Sequence, residues 1–285
     1  MISIIIPYHN NIIGIKRLLE SIPNDPFVEV VIINDHSPSI LELVQGSHID
    51  NVIYFELLEH ERWAGAARNK GLALSSGEFV LFADSDDFFI DGFLSIIKTY
   101  TYKNLDVIYF KPESQFEDGR PSHRADKYIE LIERYKKDPI PVRYEFFVPW
   151  SKLIKRSFIN EYQIKFDQVI ASNDVMFSLK VGHYASTVDV SDDTIYCVVE
   201  GEATLTKILS KEVIQSRFDV FCRYNEFISN NCRNVNQISS ISCLSRSLKV
   251  SFKFFLTTLK IVIKNNYPIL PDSHGIKRWL IKRRL

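Results

Sequence analysis

The sequence predicts an α/β domain in which a mostly parallel sheet carries helices on both faces, followed by a helical, basic C-terminal region. Three observations predict it: Ile- and Val-rich apolar runs recur through the first 110 residues, helical patterns separate them, and the charge changes sign from Leu205 onward.

The elements follow in order. "ISIII" (2–6), "VEVVII" (28–33), "VIYF" (52–55), "EFVLF" (78–82) and "DVIYF" (106–110) are continuous apolar runs of strand length, the pattern of strands buried on both faces. "IIGIKRLLESI" (12–22) has a helical pattern, and "AGAARNKGLALSS" (64–76) is a small-residue helix ending at Gly77. Strand alternating with helix calls for crossover connections and hence a parallel sheet. Later, Val175, Phe177, Leu179 and Val181 mark a helix opened by Asn173 and Asp174. The expected division is 1–204 for the α/β domain and 205–285 for the helical region.

Composition narrows the function classes. At 285 residues and 46% hydrophobic, the chain can bury a large core, and its 35 basic and 35 acidic residues balance, so nucleic acid is not an expected partner. The balance hides an asymmetry: 15 Lys plus Arg against 4 Asp plus Glu from Leu205 onward, and 20 against 31 before it. Cys197, Cys222, Cys232 and Cys243 have neither zinc spacing nor disulfide spacing. Met1 leads straight into an apolar run without a basic leader, and no run reaches the roughly 18 residues of a membrane span. A cytoplasmic protein, peripheral on the membrane at most, is expected.

In a parallel sheet, ligands bind beyond the carboxyl ends of the strands. Those ends carry "PYHN" (7–10), "NDHS" (34–37) and "DSDD" (84–87). Carboxylates packed this closely repel one another unless a cation neutralises them. Mg²⁺ or Mn²⁺, held by one or two carboxylates and completed by substrate phosphates, answers that need and points to a nucleoside diphosphate. The structural alternative has Asp84 capping the strand and Asp86 and Asp87 opening the helix "DGFLSIIKTY".

"SIIIPYHN", "VVIINDHSPS", "GAARNKGLALSSGEFVLFADSDD" and "SND" before "VMF", in this order, resemble the inverting family 2 glycosyltransferases of GT-A fold, whose sheet is Rossmann-like. "PWSKLIKRSFI" (149–159) is similar to a segment of capsule and lipopolysaccharide glycosyltransferases, and the resemblance covers about residues 2–200. It implies a UDP-sugar donor and a saccharide or lipid-linked saccharide acceptor in surface polysaccharide synthesis. Asp35 would bind the uracil, with Pro7 and Tyr8 shaping the base pocket. Arg68, Asp84 and Ser85 would contact the nucleotide, and Asp86 would hold Mn²⁺ or Mg²⁺. Asp174 would be the general base, taking the proton of the acceptor hydroxyl as it attacks the anomeric carbon; its alternative is a helix cap. Asn173 and Trp150 are candidate acceptor contacts, and His123 and His183 candidate metal or phosphate ligands.

The sequence departs from the family pattern at Asn34, where Asp is common, and at Trp63, where Gly is common. The Gln-x-x-Arg-Trp signature of processive members is missing, so transfer of one sugar per encounter is expected. A sugar-phosphate nucleotidyltransferase and a non-catalytic nucleotide-sugar-binding protein are the competing classes; the first would call for a Gly-rich phosphate loop after the first strand, where "PYHNN" stands. In the tail, Arg246, Lys249, Lys253, Lys260 and Lys264 fall within an arc of about 60° when 241–264 is drawn as one helix. That stripe, with "IKRWLIKRRL" and Trp279 beyond it, suits an anionic membrane surface.

Overall fold

The computed structural model describes residues 1–201 and 209–271. They fall into two compact units, one drawn from Met1–Val169 and Asn173–Glu202, the other from Ile170–Ser172 and Ala203–Leu285. The division expected between 204 and 205, and Trp279 with its basic run, lie outside the described residues.

The first unit runs β1 (Ile2–Tyr8), α1 (Ile12–Glu20), β2 (Val28–Asn34), α2 (Leu41–Gln45), β3 (Val52–Glu56), α3 (Trp63–Leu74) and β4 (Phe79–Phe82). There follow β5 (Phe88–Phe89), α4 (Phe93–Thr101), β6 (Val107–Phe116), α5 (Asp126–Arg134), α6 (Ile140–Glu145), β7 (Lys152–Lys155), α7 (Arg156–Glu161), α8 (Val175–Tyr184) and β8 (Val188–Glu200). The eight strands form one sheet in the order β3-β2-β1-β4-β7-β6-β8-β5. β1 pairs in parallel with both β2 and β4, and β2 with β3, so the chain moves outward to β3 and then returns to the other side of β1. This reversal is the topological switch point where α/β sheets open a crevice for ligands.

Every residue of β1, β2 and β4 is buried, as their continuous apolar runs require. The sheet is mixed beyond β4: β7 runs antiparallel to both β4 and β6, while β6 and β8 are parallel with register shifts around Lys111. β5, two residues long, and the polar first part of β8 (188–194) have no sequence signature of their own; their long-range pairing makes them strands. The expected helix over "DGFLSIIKTY" begins only at Phe93, behind a left-handed Gly92 (φ 80°), with β5 intervening. Asp86 and Asp87 therefore open no helix, and the capping alternative is corrected.

The core beside the switch point is aromatic. Phe166 stacks on Phe177 at 3.8 Å, and both meet Phe82 edge-on at 5.0 and 5.4 Å. Stacked and edge-to-face rings add to the area they bury, which fixes α8 against the end of β4.

The second unit is helical: α9 (Lys211–Asn231), α10 (Ile241–Val250) and α11 (Phe252–Lys264). Phe218, Phe221, Leu244 and Val262 form its core. Residues 241–264 are two helices rather than one. Ser251 lies extended between them (φ −166°, ψ 151°) and caps α11 by accepting the Phe254 N–H at 3.1 Å. The single basic stripe is thus corrected. On α11 the arc from Phe254 through Thr258 to Val262 is buried, Phe252, Leu256 and Ile263 form an exposed apolar stripe, and Lys253, Lys260 and Lys264 lie about 60° to 100° from its centre. Among the described residues, no helix is long and apolar enough to cross a membrane.

Candidate active site

The loops after β1, β2 and β4 meet at the switch point. The second loop is held by Asn34, whose Oδ1 accepts the Ser37 N–H at 3.0 Å and whose Nδ2 donates to Ser37 O at 2.9 Å and to the Tyr54 hydroxyl at 3.0 Å. An amide both donates and accepts here, which a carboxylate cannot do, so the departure from Asp has a structural cause. Asp35 is buried at the end of β2, its backbone oxygen accepting from His9 Nδ1 at 2.7 Å. Pro7 and Tyr8 are buried at the end of β1, and burial raises the Tyr8 phenol above its ordinary pKa.

The "DSDD" loop extends β4. Ala83 N–H continues the ladder to Ile5 O at 3.1 Å, and Asp87 N–H closes a turn on Asp84 O at 3.1 Å. The Tyr196 hydroxyl accepts the Asp84 N–H and donates to Asp87 Oδ2, each at 2.8 Å, while Val199 N–H donates to Asp87 Oδ1 at 2.8 Å. Asp87 is therefore the buried acid that ties the loop to β8. Ser85 lies over the start of α1: an alanine Cβ at Gly14 would stand 2.5 Å from Ser85 O, so only glycine permits this approach. Arg17, one turn along α1, donates to Asp86 O.

Arg68 is the centre of the site. It is buried on α3, donates through Nη2 to Asp84 Oδ1 and through Nη1 to Asn173 Oδ1 at 2.6 Å, and lies 5.4 Å over the Phe166 ring. One guanidinium thus links the acidic loop to the residue preceding Asp174. The approach depends on Gly65, where a Cβ would fall 1.9 Å from Asp167 O and 3.1 Å from Asn173 Cβ. α3 begins at Trp63 with φ 76°, a conformation that favours glycine and costs a bulky residue about 1–3 kcal/mol.

Asp174 stands at the N-cap of α8, but its side chain makes no capping hydrogen bond. Burial raises its pKa; Arg68 and Lys152 oppose that rise and Asp84 adds to it. Trp150 is 2% exposed, with Tyr128 edge-on at 5.0 Å and Tyr196 stacked at 5.8 Å, so its ring belongs to the core and offers no face to a sugar. The Asn173 side chain is engaged by Arg68. His123 pairs with Asp126 at 2.8 Å and His183 meets the Tyr144 hydroxyl at 3.2 Å.

Among the described residues, the group able to hold a metal is Asp84, Asp86 and Asp87, with ligand atoms within 4.8 Å of one another. Asp87 has both oxygens occupied and Asp84 gives one to Arg68, which leaves Asp86 and the second Asp84 oxygen. Two hard carboxylate oxygens beside a crevice fit Mn²⁺ or Mg²⁺ completed by phosphate oxygens. Burial, then repulsion from Asp84, pushes Asp86 up to about 6.

That shift has a stability consequence with a definite sign. The folded chain holds the Asp86 proton more tightly than the unfolded chain, so metal-free stability should fall as pH rises from about 4 to 6 and stay low above. At pH 7.5, Asp86→Asn should relieve about 1 kcal/mol after allowance for solvent screening, raising the metal-free melting temperature by about 2–4 °C and abolishing stabilisation by Mn²⁺ with UDP. Scanning calorimetry of both proteins tests this; equal melting temperatures would refute the repulsion.

Reasoning from sequence missed Arg17, Tyr196, Lys152 and the two close-approach glycines. Gly14 and Gly65 were visible as helix-interior glycines, a signal of tight packing. Arg17, Tyr196 and Lys152 had no local signal, because their partners lie 69, 109 and 26 residues away.

A sheet of this order, with acids gathered at its switch point, is the architecture of the GT-A glycosyltransferases. Residues 3–163 match the model of Glycosyl transferase family 2, and the chain belongs to that family. It is a glycosyltransferase, which sets aside the nucleotidyltransferase and non-catalytic alternatives. The putative glycosyltransferase EpsH of Bacillus subtilis is 24% identical over 243 residues, 81% of this chain and 70% of that protein. The GalNAc(5)-diNAcBac-PP-undecaprenol beta-1,3-glucosyltransferase of Campylobacter jejuni is 30% identical over 170 residues, 56% of this chain and 55% of that protein. The crystal structure of S. aureus TarS 1–349 with UDP-GlcNAc shares the fold, with TM-score 0.68 and 21% identity over 90% of this chain and 79% of that one.

Proposed function

We propose that the protein transfers one sugar from a UDP-sugar to a hydroxyl of a saccharide or lipid-linked saccharide acceptor in surface polysaccharide synthesis, with inversion at the anomeric carbon. The observation that carries this reading is the Arg68 bridge, which joins the acidic loop on the donor side to the Asn173–Asp174 segment on the acceptor side. Asp35 accepts from the uracil N3–H. It follows β2, and Asp84 follows β4, with β1 between them, so two strand spacings of roughly 10 Å separate base pocket and acidic loop, a span that a nucleoside bridges. Pro7 and Tyr8 bound the base pocket, and Ser85 with Asp84 faces the ribose and phosphates. Mn²⁺ or Mg²⁺, held by Asp86 and the second Asp84 oxygen, would neutralise the leaving diphosphate. Arg68 adds a fixed positive charge to the same end, in place before the reaction begins. Asp174, with no capping duty, takes the acceptor proton.

The donor is tested by incubation with a panel of UDP-sugars, including UDP-GlcNAc and UDP-glucose, with and without chelator, following UDP release. Release from one donor that chelator suppresses and Mn²⁺ restores is the expected result; release unaffected by chelator would remove the metal from the reading.

The helical unit carries the finer reading of location. The α11 stripe of Phe252 (65% exposed), Leu256 and Ile263 lies beside Lys253, Lys260 and Lys264, with Leu248 and Lys249 on α10 repeating the pairing. An apolar stripe bordered by ammonium groups fits an anionic bilayer surface, where acyl chains take up the rings and headgroups meet the lysines. Phosphatidylglycerol vesicles should sediment the protein in low salt, and Phe252→Glu with Leu256→Glu should abolish this. Binding that is indifferent to salt, or unchanged in the double variant, would refute it.

A further inference from the structure

Lys152 is fully buried on β7, opposite Tyr109 of β6. Among the described residues, no carboxylate is hydrogen-bonded to its ammonium. Nζ donates to Phe146 O at 2.7 Å and to Ser178 Oγ at 2.8 Å, and it lies 5.1 Å and 5.4 Å from the centroids of Phe146 and Tyr109. A carbonyl oxygen, a hydroxyl oxygen and two ring faces all turn their negative side to the same nitrogen. Such a cage selects a cation, since a neutral amine would gain little from the rings. Yet a buried ammonium without an ionic partner is among the most costly groups a core can hold. Its retention asks for a counter-charge near enough to act.

Ser178 supplies the connection. It sits in the first turn of α8, donates its N–H to Asp174 O at 2.9 Å and passes its hydroxyl proton to Val148 O at 3.3 Å. The ammonium is thus seated beneath the turn that Asp174 opens. We propose that Lys152 is a positioning residue for Asp174: it anchors the first turn of α8 and sets a buried positive charge under the carboxylate. This rests on the reading of Asp174 as the general base.

Burial and the facing carboxylate act on Lys152 in opposite directions. Burial lowers the Lys152 pKa well below its ordinary value, and Asp174 pulls it back up. In the other direction, burial raises Asp174 while Arg68 and Lys152 lower it. The charged and titratable groups facing Asp174 are Arg68 from α3, Asp84 from the loop after β4, Lys152 from β7 and Tyr128 from α5. Arg68 is shared with Asp84, so its charge is already partly neutralised; Lys152 has no such competitor among its hydrogen bonds. A base that is buried for catalysis but must be ionised to accept a proton needs a charge of this kind, placed where solvent cannot screen it.

The test separates charge from anchoring. Lys152→Gln keeps a donor for Phe146 O and Ser178 Oγ and removes the charge; Lys152→Met removes both. The Asp174 carboxyl is followed by carbon-13 NMR across pH in the full chain, its signal assigned by its absence from Asp174→Asn. Both Lys152 variants should move the Asp174 midpoint upward by on the order of one unit, since an opposite charge at close range shifts a carboxyl by about that much. The acidic limb of UDP release, measured with the UDP-sugar that the donor panel selects, should move with it. A midpoint unmoved in Lys152→Gln overturns the role of the charge, whatever the Met variant does. Should the Met variant fail to fold, the Gln variant carries the test, because it keeps a hydrogen-bond donor. In the Asp174→Asn background, Lys152→Gln should change transfer no further. If Asp174→Asn alone transfers sugar normally, the base assignment has failed, and the NMR midpoint still decides whether Lys152 acts on the carboxyl.

Discussion

Asp174→Asn should lose sugar transfer by roughly 10² to 10⁴ while its UDP affinity stays near that of the unaltered chain; its melting temperature should fall, because the buried Lys152 loses the carboxylate that faces it. The expected split follows from two features of the site. The Asp174 side chain makes no capping hydrogen bond to α8, so an amide in its place removes no structural contact there. An amide cannot accept the acceptor proton, so the chemical step alone suffers. Transfer within a few-fold of the parent would remove Asp174 as the base; a fall in UDP affinity as large as the loss of transfer would make its role structural. The pH dependence adds a second signature. Because burial raises the Asp174 pKa, the acidic limb of transfer should lie above the ordinary carboxylate range, with activity gained as pH rises through it.

Arg68→Met should be the most damaging single change, affecting both stability and donor binding. It leaves Asp84 without its ion pair and Asn173 Oδ1 without its donor, in a region where Arg68 itself is 5% exposed. The Asp84 side chain left behind is 31% exposed, so solvent takes up part of its charge, and the cost should fall between the roughly 1 kcal/mol of a surface pair and the roughly 3–5 kcal/mol of a fully buried one. UDP affinity should fall as well, since Asp84 is left to repel the diphosphate. Arg68→Lys tests geometry separately: it keeps the charge but cannot reach Asp84 and Asn173 with two nitrogens of one planar group. Chemical denaturation alongside UDP titration checks both effects. Stability within 1 kcal/mol of the parent in Arg68→Met would mean that the bridge is not holding the loops together.

Much of this was legible in the sequence, for identifiable reasons. β1, β2 and β4 are buried on both faces, so their residues are apolar without interruption, and a short reading frame finds them. α3 could be read from small residues at helical spacing. The acids after β4 stood out because nothing local explains three carboxylates at the end of a buried strand. Trp150 misled, because an aromatic beside Pro149 has the same sequence signature whether it lines a site or fills a core. The single stripe over 241–264 misled for a similar reason: no Gly or Pro marks the break, and a lone extended Ser251 makes it.

The sequence by itself determined the parallel half of the sheet, the family and the acidic pocket, since each of these is written in contiguous residues whose chemistry acts over a few positions. The tertiary structure alone decided the division of labour within that pocket. Asp87 became structural because Tyr196 and Val199, more than 100 residues later, occupy its oxygens. Asp86 and one oxygen of Asp84 were left outside these contacts. Arg68 became the link between the acidic loop and Asn173 because Gly65 lets α3 close on Asp167 and Asn173. Lys152 came to lie under Asp174 because β7 enters the sheet antiparallel, beside β6. Hydrogen-bond partners and desolvation set what a carboxylate does, and both depend on which distant strands arrive beside it.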